Sequence, residues 1–361
     1  MAPLVSIVIP CCNAGRMLVP ALRSALAQTY PNLEIVFVDN NSTDGSGTRA
    51  REVAAQSPRP VTVLDCAAQG ANHARNFGYA QISGDYVQWF DADDLLEPDK
   101  IERQVAFLER NKSVDIAYCD WTLRRALKPG EALNMPFPLA DESDQLLRVL
   151  AHVWYPPLAY LFRRAAADRL QREEAWWPGR PLGTDIEYSA VAALLGLGFR
   201  HVPGAAVIYN DWSAGQMSGP GKPYAVKAAA FAEIYRRLAA LAERADIAPR
   251  VAARHRLFLR QDWTVWSVPR GSLELVRTGG RRVVVRHRAS GRALELRPRE
   301  AAVVETVMQA GGALAIVHHA KDVASRLTDT LGDLVFYVET LDRLRQAGLL
   351  TRADEAAAPP R

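Results

Sequence analysis

The sequence predicts an α/β protein: a parallel sheet wrapped by helices, then a helical stretch and a small α+β domain. Three observations carry this. Short apolar runs rich in Val and Ile alternate with segments of helical periodicity over residues 4–119. Each apolar run stops at a polar turn. Beyond residue 270 the order changes to consecutive short β-like stretches followed by helices. Strands and helices alternating at such spacing build parallel sheets with right-handed crossovers. A chain of 361 residues has room for two or three ordinary domains.

The elements follow in order. Residues 4–9 form an apolar run ended by Pro10, the signature of a buried strand. Residues 16–29 carry Met17, Leu18, Ala21, Leu22, Ala25 and Leu26 at helical spacing. A second strand, 33–38, ends at Asp39-Asn40-Asn41-Ser42. A helix over 46–56, a strand over 61–65, a helix over 71–80 and a strand over 85–90 complete the alternation, and 100–110 and 114–119 add a helix and a strand. Residues 126–158 read as Pro-rich and irregular, 184–196 as helix and 199–209 as extended. Ser213–Pro223 is rich in Gly and Pro, and 224–262 is helical with a break near Pro249. Domain boundaries are expected at 1–220, 221–268 (a helical linker) and 269–352, with a disordered tail at 353–361.

Composition narrows the function classes. No apolar run reaches the roughly 18 residues that span a bilayer; the longest, Ala190–Phe199, fits a buried helix. The N-terminus has no basic region and no small-residue cleavage site. Cys11, Cys12, Cys66 and Cys119 all lie in the first third without metal-ligand spacing. They form no disulfide framework, which agrees with a reducing, cytoplasmic compartment. Charge is uneven: residues 270–352 carry 14 Lys and Arg against 9 Asp and Glu, whereas the rest is near neutral. That asymmetry implies two bodies with different partners.

The chemistry concentrates where the strands end. Val87-Gln88-Trp89-Phe90 runs into Asp91-Ala92-Asp93-Asp94. On an extended backbone Asp91 and Asp93 share one face, and two such carboxylates repel unless a cation lies between them. Hard oxygen ligands suit Mg²⁺ or Mn²⁺, which bind together with substrate phosphates. The competing reading is a helix cap, with Asp93 or Asp94 capping a helix that begins near Glu97-Pro98-Asp99. In open parallel sheets ligands bind outside the carboxyl ends of the strands. Pro10–Asn13, Asp39–Asp44 and Asp91–Asp94 all fall there.

Five blocks, in order, resemble the family 2 glycosyltransferases of the GT-A fold over roughly residues 3–215. They are Val5–Gly15, Val38–Asp44, Gly70–Gly78, Gly84–Asp94 and Gly183–Tyr188. The resemblance implies transfer of a sugar from a nucleotide-sugar donor, a UDP-sugar, with inversion and with Mg²⁺ or Mn²⁺. It places Pro10 and Asn13 along the nucleotide and Asp39 against the base. Arg75 would reach the base or diphosphate, Asp91 the ribose or metal, and Asp93 the metal directly in a DXD motif. Asp185 would be the general base, with Glu187 as fallback. Against these stand plainer readings: an Asx-turn from Asp39 to Ser42, a solvated helix face for Arg75, and a dipole-favoured carboxylate at a helix N-terminus for Asp185. The chain departs from the family pattern at Thr184, where Glu is frequent, at Asn40-Asn41 in place of Asp-Gly, and at Cys11-Cys12. No His follows Tyr209, and Asp211 is a weak substitute as a metal ligand. Gln216-Met217-Ser218 suits a lid. Trp154, Trp176 and Trp177 suit either sugar stacking or core.

The C-terminal part carries β-like stretches at 273–277, 282–287 and 293–296, then helices at 298–309, 319–327 and 332–347. It resembles the PqqD-like fold, through Leu294–Ala302 and Leu341–Leu350, and shares its element order with winged-helix domains. The resemblance implies binding of a leader peptide, an acceptor recruited as an added strand, with Arg281, Arg282, Arg286 and Arg288 favouring an acidic one. A structural or dimerisation module is the plainer alternative. A non-catalytic nucleotide-sugar sensor or DNA-binding regulator is the alternative for the whole chain, although nucleic acid is not the expected partner. Oligomeric state is open.

Overall fold

The computed structural model describes residues 2–126, 132–137, 144–150, 155–179, 183–211, 224–259, 266–268, 272–278, 282–310, 312–314 and 331–352. The expected helix at 319–327, the lid residues 216–218, Trp154, Arg281 and the tail lie outside them. The chain divides into two compact units. One comprises Met1–Val149, Trp154–Ala230 and Ala240–Val251; the other comprises Leu150–Val153, Phe231–Ala239 and Ala252–Arg361. Residues 221–268, expected as a linker, are shared between the two.

In the first unit the strands are β1 (Val5–Cys11), β2 (Leu33–Asp39), β3 (Val61–Asp65) and β4 (Tyr86–Trp89). Helices α1 (Leu18–Leu26), α2 (Ser46–Ala55) and α3 (Ala71–Tyr79) connect them. All seven residues of β1 are buried, which is why it reads as an unbroken apolar run rather than an alternating one. α1 buries Leu18, Ala21, Leu22 and Ala25, one stripe of a 3.6-residue period. Gly78 lets α3 sit close to the sheet, because a Cβ there would come within 2.8 Å of Val8 and 2.9 Å of Val38.

The sheet is mixed, not parallel throughout. β1 pairs in parallel with both β2 and β4, and β2 with β3. Then come β5 (Leu95–Leu96), α4 (Lys100–Arg110), β6 (Ile116–Ala126), β7 (Ala132–Phe137), α5 (Gln145–Leu150), β8 (Tyr160–Arg163), α6 (Arg164–Arg172), α7 (Thr184–Leu194) and β9 (Phe199–Asp211). β8 lies antiparallel between β4 and β6, and β9 runs parallel to β6 while pairing antiparallel with β5. An apolar run records burial but not direction, so the sequence could not distinguish these. The segment read as irregular, 126–158, contains β7 and α5. Pro136 sits inside β7, whose only partner among the described residues is β6; an edge strand tolerates proline.

Polar residues inside the core were not foreseen. Gln88, Lys100 and Gln104 are each 0% exposed. The Lys100 amine donates to Gln88 Oε1 and, at 3.3 Å, to the Tyr160 carbonyl; Gln104 Nε2 donates to the carbonyls of Ala117 (3.3 Å) and Ala159 (2.9 Å). Burial holds the Lys100 amine down at about 7, against 10.5 for a free lysine. The folded protein therefore keeps a neutral amine above that value, whereas the unfolded chain holds the proton up to about 10.5. Unfolding takes up a proton in this window, so stability rises with pH from 7 towards 10, by up to about 1.4 kcal/mol per unit. Lys100→Met removes that slope. It also strips Gln88 Oε1 of a donor, a pH-independent loss, so the slope rather than the absolute stability is the readout. The wild-type minus Lys100→Met difference in Tm is expected to climb between pH 7 and 9. A flat difference would show that the amine stays charged.

The second unit contains α9 (Ala253–Leu259), β10 (Trp266–Val268), β11 (Leu273–Thr278), β12 (Arg282–His287), β13 (Ala293–Leu296), α10 (Pro298–Ala310), β14 (Gly312–Leu314), α11 (Leu331–Gln346) and β15 (Thr351–Arg352); the earlier helix α8 (Tyr224–Ala242) contributes Phe231–Ala239. β11, β12 and β13 form an antiparallel sheet, β12 central, against which α10 packs. Val338, Leu341 and Leu344 of α11 are buried, one stripe of its helical period. A second small sheet, β14-β10-β15, was not foreseen; its strands are two or three residues long. Glu300 is 4% exposed; burial pushes its carboxyl up, but the Arg297 amide (2.7 Å) and Arg343 outweigh this and hold it below the usual range.

Candidate active site

The register levels the ends of three strands: Cys11 pairs with Asp39, and Asp39 with Asp65. Pro10 lies one residue inside the edge, opposite Val38. The turn after β1 is laced to the turn after β2. Asn13, in the left-handed region at φ 57, donates its backbone N–H to Ser42 Oγ (3.0 Å) and accepts from the Thr43 N–H at Oδ1 (2.7 Å). Asp44 accepts from the amides of Gly15 (2.8 Å) and Ser46 (2.9 Å). Burial pushes the Asp44 carboxyl up, yet those hydrogen bonds and the Arg49 charge outweigh it and hold it down. Asn13 thus spends its side-chain oxygen on holding two loops together.

Asp39 Oδ1 accepts from the Ser42 amide at 3.2 Å, so the Asx-type turn is present. Its second oxygen faces α2, where a Cβ on Gly47 would lie 2.2 Å away; only glycine leaves room for this carboxylate. Asn40, 1% exposed, ties the next loop: its amide donates to the carbonyls of Cys66 (2.8 Å) and Ala68 (2.7 Å), and its oxygen accepts from Gly70 N–H (2.7 Å). An aspartate could not make the two donated bonds, which accounts for Asn at this position. Burial, the largest influence, pushes the Cys11 thiol up to about 11, so it is a packing residue, while Cys12 is exposed.

Asp91–Asp94 form a turn beyond β4, with the Asp94 N–H on the Asp91 carbonyl at 3.3 Å; the expected extended backbone is absent, and the carboxylates converge through the turn. The cap reading also fails. The helix starts at Lys100 with Asp99 at the N-cap position. Asp94, 1% exposed, turns the other way: its Oδ1 accepts from the Asn210 amide at 2.8 Å, while Asn210 Nδ2 reaches the Asp93 carbonyl at 2.6 Å. Burial and then the charges of Asp93 and Asp91 push the Asp94 carboxyl well above the usual range.

Arg75 is buried (6% exposed), which excludes a solvated helix face. It donates to Asp91 Oδ1 at 2.6 Å and to Asn72 Oδ1 at 3.2 Å, and its guanidinium lies 4.4 Å over the Trp176 ring. Asp185 stands half-buried in the first turn of α7, whereas Glu187 is 0% exposed. Tyr209 feels the charge of each of these turns. Its hydroxyl is pushed up by burial and then by the charges of Asp94, Asp185, Asp91 and Asp93 together. The charges of Asp91, Asp93, Asp94 and Asp185 thus all reach the Tyr209 hydroxyl, and β4, which leads into Asp91, pairs with β1 beside the strand end that carries Asp39. The side chain of Asp211 lies outside the described residues. Asn40, Asp44, Tyr209 and Asn210 were not singled out as site residues. Only Asn40 gave a signal, by replacing an acidic residue.

Residues 6–166 match the family model Glycosyl transferase family 2. This N-terminal region resembles that family, over less than half of the chain. It is similar to an uncharacterized glycosyltransferase of Rickettsia typhi, 38% identical over 124 residues, 34% of this chain and 37% of the relative. It is also similar to one of Nostoc sp., 35% identical over 175 residues, 46% of this chain and 52% of the relative. The chain thus spans less than two thirds of the length of these relatives. In fold the chain is similar to the crystal structure of S. aureus TarS 1–349 in complex with UDP-GlcNAc, with a TM-score of 0.56 at 18% identity, covering 71% of this chain and 70% of that one. No described helix is long and apolar enough to cross a membrane.

Proposed function

We propose that the chain is an inverting, metal-dependent glycosyltransferase that moves a sugar from a UDP-sugar to a peptide acceptor engaged by the second unit. The observation that supports it most is the convergence of the Asp91–Asp94 turn and Asp185 at the strand edge that also carries Asp39. TarS, whose fold matches, was crystallised with UDP-GlcNAc.

The donor set fits a divalent cation completed by substrate. The available protein ligands are hard carboxylate oxygens, and the described residues contain no group of three or more His, Cys, Asp and Glu that would hold a metal unaided. Mg²⁺ typically takes one or two carboxylates plus substrate phosphates. Asp93 would hold the ion, with Asp91 beside it on the ribose side. Bound there, Mg²⁺ or Mn²⁺ acts as a Lewis acid for the leaving diphosphate. The chain's own residues do the rest. Asp39 presents an acceptor oxygen, which suits the imide N–H of uracil. Pro10 and Asn13 border the nucleotide. Arg75 keeps Asp91 aimed. Asp185 takes the proton of the acceptor hydroxyl as it attacks the anomeric carbon, the diphosphate leaves from the opposite face, and the configuration inverts.

The acceptor reading rests on the sheet of the second unit, where β11 and β13 each pair on one side only among the described residues. Such an edge takes an added strand. Arg286 and Arg288 lie 3.8 and 3.5 Å from Glu274, so part of their charge is already answered within the sheet and backbone pairing carries the recognition.

The test is nucleoside-diphosphate release by the purified chain across UDP-, GDP- and dTDP-sugars, with and without Mn²⁺, and with acceptor peptides. Turnover is expected with UDP-sugars, lost on chelation. Peptides N-methylated at alternate residues, which cannot add to an edge, should show a KM about tenfold higher, the loss of one to two backbone hydrogen bonds. Chelator-resistant turnover removes the metal, a GDP-sugar preference removes the uracil contact, and an unchanged KM removes the edge.

A further inference from the structure

Trp176 is 0% exposed, and three side chains from three elements pack on its ring. Its ring stacks on Tyr188 of α7 with centroids 4.1 Å apart at 17°, and meets Trp89 edge-on at 5.6 Å and 83°. The Arg75 guanidinium of α3 covers it at 4.4 Å. Trp89 Nε1 donates to the Tyr188 hydroxyl at 3.1 Å, closing the cluster. The backbone around Trp176 is pinned as well: Asn76 Nδ2 donates to the Trp176 carbonyl (2.9 Å) and Asn72 Nδ2 to that of Trp177 (2.8 Å). Asn72, Arg75 and Asn76 are spaced i, i+3 and i+4, one face of α3.

Each neighbour is tied to a proposed catalytic element. Trp89 ends β4, two residues before Asp91. Arg75 bonds Asp91 at 2.6 Å. Tyr188 lies one turn beyond Asp185 on α7. We propose that Trp176 is a positioning residue: through Arg75 it fixes the Asp91 turn, and through Tyr188 it fixes the helix that carries the base, so that donor side and acceptor side keep one spacing. The inference rests on the transfer reading above. It also moves Arg75 from a phosphate ligand to a member of this joint. A flat guanidinium with a carboxylate at its edge and an indole against its face matches the preference of arginine for carboxylate pairing and planar stacking. Geometry held to a fraction of an ångström matters most in the transition state, so the joint acts on kcat rather than on donor affinity.

The experiment compares Trp176→Leu, Trp176→Phe and Arg75→Lys with the wild-type chain. Three readouts are taken: kcat for transfer, the calorimetric Kd for UDP with Mn²⁺, and amide hydrogen exchange across residues 184–194. For Trp176→Leu, kcat is expected to fall about tenfold or more, with the Kd within about threefold. Exchange in α7 should quicken about tenfold as its packing loosens, while α1 is unchanged. Trp176→Phe, which keeps a flat ring over Tyr188, should recover most of the kcat. Arg75→Lys should lower kcat with the Kd held, and decides the matter if Trp176→Leu does not fold. A raised Kd with unaltered kcat would return Arg75 to the diphosphate and overturn the inference, as would unchanged kcat and exchange in folded variants. If the wild-type chain releases no nucleotide from any donor, the transfer reading falls, and exchange in α7 still decides whether Trp176 holds that helix.

Discussion

Asp93→Ala is expected to lower kcat for transfer by about 10²- to 10³-fold, the range seen when one electrostatic stabiliser of a developing charge is removed, while leaving the protein folded. The two halves of the expectation have separate causes. Catalytically, Asp93 is the carboxylate assigned to the cation, and a ligand set of so few protein groups cannot lose one and still hold the ion between enzyme and diphosphate. Structurally, this turn grips β9 through the Asp93 carbonyl, which accepts from Asn210 Nδ2 at 2.6 Å, and through Asp94 Oδ1, which accepts from the Asn210 amide at 2.8 Å; both survive the substitution. The charge of Asp93 also helps to push the Asp94 carboxyl up, so its removal relieves a repulsion. Asp93→Asn should behave alike, because it keeps the shape and loses only the charge. Steady-state kinetics with a Mn²⁺ titration in the presence of UDP checks this: the metal dependence should weaken together with kcat. Wild-type turnover at an unaltered metal requirement would take Asp93 out of the site.

Much of this architecture was legible because burial writes itself into composition. β1 and β2 read as mostly apolar runs because most of their residues are buried, with Glu34 and Asp39 half-buried in β2, and α4 shows Ile101, Val105 and Leu108 on one side because that side meets the sheet. Three kinds of feature were not legible. Strand direction leaves no mark on a four-residue strand, so β8 inserting antiparallel beside β4 was missed. Turn geometry was misjudged at Asp91–Asp94, where two-residue spacing on a strand and a folded turn both bring carboxylates together. Long-range polar contacts were invisible: Asp94 to Asn210 spans 116 residues, and Lys100 looked like a helix-surface lysine. The candidate site divides along the same line. Asp39, Asp91 and Asp93 stood out as carboxylates at strand ends, and Asp185 was assigned through the resemblance to the family 2 glycosyltransferases; their roles are proposals. Tyr209 and Asn210 were passed over as site residues because aromatic and amide side chains late in a domain read as packing, and Trp176 was left open between sugar stacking and core.

Asp185→Asn is expected to lower kcat by about 10²- to 10⁴-fold, the usual share of a positioned general base, with the KM for donor little changed. Asparagine has the same shape but cannot take a proton at neutral pH, so fold and donor binding should persist while the acceptor hydroxyl keeps its hydrogen. Two carboxylates share the first turn of α7, and burial separates their roles. Glu187 is 0% exposed and cannot meet an incoming hydroxyl without opening the helix, whereas Asp185 is half-buried at the edge where the Asp91–Asp94 turn converges. Asp185 sits in the first turn of α7 with no second acid directly beside it. That answers why Thr184 is tolerated where a second carboxylate is frequent in the family: Thr184 is 8% exposed, and a charge there would have to be desolvated next to Asp185. Single-turnover kinetics on Asp185→Asn and Glu187→Gln separates the candidates. Loss of the chemical step in the first, and near wild-type rates in a folded second, is the expected pair. The reverse pair would move the base one half-turn into the helix and require α7 to open before each transfer.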